Sequence, residues 1–269
     1  MENTRKTLKK SRRQIQSEKR KQFLELVSLL QEAVKAIKGM VCAGEQSVYE
    51  YLSQMQEIAI LLGGGLDEML GEGIEAVALL EKFCELVWNC SNAETAEDMI
   101  FMLDEMNALI LREESLIVES LREKKVIVFL PYKASMWDSL ESIWKAATET
   151  PDCEAYVVPI PYYDKLPDGG LGDMHYEGMR FPEYVPIMPY QEFNLALEQP
   201  DVIFFHNPYD AFNHVTTVHP AFYSDKLKKY TKKLVYVPYY VSIDTVTAES
   251  VTMPGPVHAD LVYVSSEKI

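Results

Sequence analysis

Apolar side chains recur through the first part of the chain in alternating steps of four and three. Phe23, Val27, Leu30, Val34, Ile37 and Val41 fall on one stripe of a helix. A second stripe, Val48, Leu52, Met55, Ala59 and Leu62, is predicted to stop at Gly63-Gly64-Gly65, where three residues without side chains withdraw helix propensity together. A third helix is predicted over about 73–90 through Val77, Leu80, Cys84 and Val87. Ser91 and Glu94 have capping-box spacing, which predicts the start of a long fourth helix through Leu103, Met106, Ile110, Ile117 and Leu121. Four such helices on short connections bury their stripes against one another, as an antiparallel bundle or as helical hairpins. The first helix also leaves open a dimerising coiled coil, although its heptads are short.

At Lys125 the period changes. Val126-Ile-Val-Phe-Leu130 is a continuous β-branched and aromatic run, the pattern of a strand buried on both faces. Similar runs follow at Ala155–Ile160, Asp201–Phe205, Lys233–Val237 and Leu261–Val264. Strands separated by helical or loop stretches imply a mainly parallel, Rossmann-like layer with right-handed crossovers. The expected fold is therefore α plus α/β, a helical domain over residues 1–124 and an α/β domain over 125–269.

Composition and charge narrow the function. The hydrophobic share of 48% suits a packed core rather than disorder. No apolar run approaches the roughly 20 residues of a membrane span, and the charged first 22 residues lack the apolar centre of a signal peptide, so the expected location is cytoplasmic. The net charge of −15 is uneven: residues 1–22 hold nine Lys/Arg against Glu2 and Glu18, leaving 17 basic and 39 acidic residues beyond. The acidic body argues against nucleic acid as a partner, and the basic arm reads first as a solvated helix face. That arm leaves peripheral association with the inner membrane face open. Cys42, Cys84, Cys90 and Cys153 have no CxxC spacing, so neither disulfide nor zinc is inferred.

In parallel sheets ligands sit beyond the carboxyl ends of the strands, which directs attention to the segments following each strand. After the first comes Pro131-Tyr-Lys-Ala-Ser-Met-Trp-Asp138, with Ser135 or Asp138 placed to cap a helix and Lys133 placed to meet a phosphate at its amino end. Neither GxGxxG nor a Walker A glycine pattern is present, so no nucleotide cofactor is expected. After the second strand, Tyr163 leads into a loop of about 20 residues that carries Gly169-Gly170, His175, Glu177 and Arg180; loops of that length are usually functional or disordered, and the aromatic density here argues for an ordered one that covers a pocket. The third segment is the richest, His206-Asn-Pro-Tyr-Asp210 through His214 to His219. His206, Asp210 and His214 have helical metal-ligand spacing, but Pro208 interrupts a helix there, and no metal is expected. His206, at a strand's carboxyl end, is the favoured general base. Asp225–Lys233 predicts a short basic helix whose lysines either attract a polyanion or form a wet face.

Tyr156–Asp164, Phe205–Asp210 and Val215–Tyr223 resemble bacterial proteins grouped with the CDP-glycerol glycerophosphotransferases, over about residues 125–269. The resemblance implies the acceptor-side Rossmann domain of a GT-B transferase, which moves glycerol phosphate from CDP-glycerol to a hydroxyl of a teichoic-acid-like polymer of the cell envelope. It implies a base at His206 or His214, positioning by Asn207, Asp210 and Tyr163, and positive charge from Lys133 or Arg180. Its partners would be a nucleotide-activated donor, held by a C-terminal domain, and a polyanionic or glycan acceptor. The chain departs from the family in two places. The family's Trp-His-Gly-Thr stretch is missing around Tyr236–Tyr240, and the sequence stops at Ser265–Ile269, at the first turn of an expected helix, before any donor domain. The alternative is a non-catalytic binding or scaffold protein whose helices recruit a partner.

Overall fold

The structure is a computed structural model that describes residues 10–45, 48–71, 73–240 and 252–264. The helix expected at Ser265 lies outside the described residues. Contacts divide the chain into a helical unit, Arg12–Arg122, and an α/β unit whose main segment begins at Glu123. Among the described residues no helix is long and apolar enough to cross a membrane.

The helical unit consists of α1 (Arg12–Cys42), α2 (Tyr49–Leu70), α3 (Glu75–Ser91) and α4 (Ala96–Ser120). Each helix packs on the next and α4 returns to α1, which closes a four-helix arrangement. The predicted stripes form its core: Leu30, Ile37, Met55, Leu62, Leu103 and Met106 are fully buried. Two expectations fail here. The glycine triplet does not end the second helix, because α2 runs through it to Leu70 and stops at Gly71, which takes φ 92°. Packing overrides propensity: a Cβ on Gly65 would stand 2.8 Å from Cε1 of Phe23, so the bare backbone is what lets α1 approach. The fourth helix is capped by Thr95, not Ser91. Thr95 is extended and its Oγ1 accepts the Asp98 amide at 3.1 Å, whereas the Ser91 hydroxyl donates to the Trp88 carbonyl inside the last turn of α3.

The α/β unit runs β1 (Lys125–Leu130), α5 (Asp138–Glu149), β2 (Cys153–Val157), β3 (Tyr162–Lys165), β4 (Leu171–His175), α6 (Leu195–Glu198), β5 (Val202–Phe205), β6 (Thr216–Val218), α7 (Ser224–Leu227), β7 (Lys233–Tyr236) and β8 (Leu261–Val262). Five strands form a parallel sheet in the order β2-β1-β5-β7-β8. In its register Val128 lies opposite Tyr156 on one side and Ile203 on the other, and Ile203 faces Leu234. Val128, Ile203 and Leu234 have no exposed surface, as the unbroken apolar runs require.

The remaining strands depart from the expected loop. Tyr162-Tyr163 and the segment ending at His175 pair antiparallel, and β6 adds on the other edge, giving a second sheet in the order β4-β3-β6. Much of the segment expected to be a long loop is thus a hairpin. The basic segment forms α7 and a 3-10 turn over Lys228–Tyr230, and three of its five lysines pair with carboxylates: Lys226 with Asp225, Lys228 with Asp260 and Lys232 with Asp201. Lys229 and Lys233 are exposed.

Candidate functional site

The chain leaves β1 for β2 on one side of the sheet, while β5 lies on β1's other side. The carboxyl ends of β1 and β5 therefore mark the reversal of strand order where open parallel sheets form a crevice. Here a side chain fills it. His206, one residue past β5, has no exposed surface, and its ring packs edge-on against Tyr132 and Tyr239 at 5.2 and 5.9 Å. Its Nε2 accepts the backbone amide of Tyr132 at 3.2 Å, and Nδ1 lies 3.2 Å from the Ser139 hydroxyl, which itself donates to the Met136 carbonyl at 2.8 Å. An amide can only donate, so the network assigns the ring proton to Nδ1, donating to Ser139. Burial pushes the imidazole down to about 3, so it stays neutral. In this arrangement the one lone pair on the ring is already occupied. The geometry gives His206 the role of a tie between the β1 and β5 loops, in place of the expected base.

The next residues secure the same end of β5. Asp210 is buried and takes φ 45°, a left-handed conformation that aspartate tolerates better than most residues. Its carboxylate accepts the amide and the hydroxyl of Ser224, the latter at 2.6 Å, and Ser224 Oγ also meets His258 Nδ1 at 2.8 Å. Burial pushes the Asp210 carboxyl up, and the Ser224 bonds oppose that shift. The carboxylate positions backbone rather than an open ligand. Asn207 is buried too, with no acceptor for its Nδ2 among the described residues. The Gly255 amide donates to the Pro208 carbonyl at 2.9 Å, which holds this loop to the short helix Pro254–His258.

Beside the filled crevice lies an open one. A pocket of about 280 Å³ is lined by Asp138 and Ser139 at the amino end of α5, by Tyr239 and Tyr240 past β7, and by Tyr263 past β8. The Tyr239 and Tyr240 rings meet edge to face at 5.2 Å and 76°, forming a corner. Tyr239 stays protonated, its hydroxyl pushed up to about 12 by burial and then by Tyr209 and Tyr240. Neither Ser135 nor Asp138 caps α5; Trp137 occupies that position without a side-chain bond. Asp138 instead sits in the first turn, where its charge complements the exposed amides. A phosphate there would meet that carboxylate, and the pocket lining contains no basic side chain to offset it.

The other candidates lie elsewhere. Lys133 Nζ stands 5.0 Å over the Tyr162 ring, and Glu177 accepts both the Tyr162 hydroxyl and the Ala134 amide at 2.9 Å. Arg180 is largely exposed, 3.6 Å from the same Glu177. Lys133 and Arg180 thus share a cluster with Glu177, Tyr162 and His175, whose ring stacks on Tyr162 and whose Nε2 is 2.8 Å from Asp164. Tyr163 is half-buried on β3, its ring 5.8 Å from His219, and His219 caps a 3-10 turn by accepting the Ala221 amide. His214 is exposed. None of these lines the pocket, and among the described residues no three His, Cys, Asp or Glu side chains group as metal ligands.

Sequence reasoning missed Ser139, Tyr239, Tyr240, Tyr263 and Glu177 as site residues. The signal for the tyrosines was present, since Tyr239-Tyr240 follows a buried strand with just two residues between. That Tyr263 joins them was not legible, because only the pairing of β8 on β7 brings the two segments side by side. A scan against protein-family models finds no match to this chain, and comparisons with curated proteins and with solved structures find no similar protein.

Proposed function

We propose that the α/β unit binds a polyhydroxylated ligand, the hydroxyl-bearing end of a glycan or polyol, as the acceptor-side domain of a glycerophosphotransferase-like protein. One observation carries this reading: a pocket at the carboxyl edge of a parallel sheet, with three tyrosines, one carboxylate, one hydroxyl and no cationic side chain in its lining. Tyrosine rings cover the C–H faces of a sugar while their hydroxyls bond its oxygens, and Asp138 accepts from ligand hydroxyls. A phosphate or nucleotide would find repulsion there instead. The resemblance to CDP-glycerol glycerophosphotransferases supports the transferase context, with the donor held elsewhere.

The test is a titration of the purified chain with a neutral oligosaccharide, a poly(glycerol phosphate) oligomer and CDP-glycerol, followed by tyrosine resonances. The expected outcome is saturable binding of the neutral ligand, weakened at least about tenfold, or about 1.4 kcal/mol, by Tyr240→Ala and by Asp138→Ala, with no binding of CDP-glycerol. Binding of CDP-glycerol alone, or glycan binding that both variants retain, would overturn the assignment. A second reading, a helical scaffold, draws on Trp88 and Phe101, which are 67% and 64% exposed on α3 and α4. Silence towards every ligand in the titration would favour it.

A further inference from the structure

We propose that Glu113 is a proton-operated latch in the helical unit: with its proton on, α4 packs closed against α1 and α3, and loss of the proton loosens that packing. The residue continues the apolar stripe of α4, between Ile110 and Ile117, so its side chain points into the core. It is 1% exposed, and neither carboxylate oxygen has a hydrogen-bond donor among the described residues. Val27 and Leu30 of α1, Leu80 and Phe83 of α3, and Ile110 of α4 surround it, and the gap they leave has no room for a water molecule. A carboxylate in such a place has neither solvent nor a partner.

The charged groups nearby do not relieve it. From α3, Glu75 adds repulsion, and Glu75 itself receives Arg112 at 2.9 Å on the exposed side. The α1 residues facing Glu113 are the apolar Val27 and Leu30, while Gln31 donates to Glu114 and Lys38 pairs with Asp104. No cation reaches the buried oxygens among the described residues. Burial first and Glu75 second push the carboxyl up from 4.5 to about 7. The folded chain then keeps a proton that the unfolded chain has released across that interval. Stability from this group is fully present below the ordinary carboxyl range, falls as pH rises through about 7, and levels above it.

The experiment is denaturant unfolding of the full chain, followed by helical circular dichroism between about pH 5 and about pH 8, for the native sequence, Glu113→Gln and Glu113→Leu. Each unit of pKa displacement is tenfold in the folding equilibrium, so the native chain should lose stability on the order of a hundredfold more than either variant over that range. Titrations in the α/β unit are common to all three proteins and cancel in the difference. If neither variant folds, infrared spectroscopy of the native chain gives the second readout, a protonated-carboxyl band at about pH 6 that fades by about pH 8. Equal pH dependence in all three proteins, or absence of that band at about pH 6, would overturn the proposal.

Discussion

At the scale of single residues, two buried titratable side chains bracket the behaviour of this protein. Glu113 prefers its proton and His206 refuses one, and burial is the leading cause in both. For His206 the sign is opposite to that of Glu113. Its depressed value means that the unfolded chain binds a proton that the folded chain excludes, so its contribution is complete above the ordinary histidine range and is lost as pH falls towards about 3. His206→Ala leaves the Tyr132 amide without its acceptor, which should cost about 1–3 kcal/mol at neutral pH and flatten the acid limb of the stability profile. Chemical denaturation at about pH 7 and about pH 5 checks both effects. A variant that keeps full stability at neutral pH would remove the tie between the two loops. His206 was legible as a residue at a strand's carboxyl end, but its role depended on a backbone amide 74 positions away in sequence. The inward place of Glu113 was legible from the spacing of Leu103, Met106, Ile110 and Ile117, but its lack of a hydrogen-bond donor was not, because that depends on which side chains α1 and α3 bring against it.

At the scale of elements, the clearest disagreement between local preference and outcome is the glycine triplet in α2. Gly64 is exposed with open space around its Cα, whereas Gly65 faces the Phe23 ring. Gly64→Ala should therefore gain up to about 1 kcal/mol from helix propensity. Gly65→Ala should lose about 1–3 kcal/mol from overpacking, outweighing the same gain. Thermal melts of the two variants should move in opposite directions, and a shift of both the same way would contradict the close packing of α1 on α2. The strands divide similarly. Runs buried on both faces, such as β1, could be read directly, because five consecutive apolar side chains rich in β-branched and aromatic residues suit an interior strand. The second sheet could not. Its strands are three to five residues long and partly polar, and β3 depends on pairing with β6 some 50 residues later.

At the scale of the whole molecule, each unit has its own core. One apolar cluster is built from α1 to α4, and two others from residues between Val126 and Ala259. A chain limited to residues 10–122 should thus fold by itself as a helical protein with one cooperative transition, since a core of this size matches that of ordinary small domains. Circular dichroism and a denaturation curve test this; a molten, non-cooperative melt would show that the bundle depends on the α/β unit. By itself the sequence determined the two-part division, the four helical stripes and the interior strands, because each follows from the spacing of apolar residues along a short stretch. It also directed attention to the carboxyl ends of the strands. The tertiary structure alone decided which side chains meet there, with His206 locked behind Tyr132 and Tyr263 brought beside Tyr239 and Tyr240, and, within the helical unit, that Glu113 is enclosed without a partner. Those outcomes depend on contacts between segments far apart in the chain, and local periodicity contains no information about them.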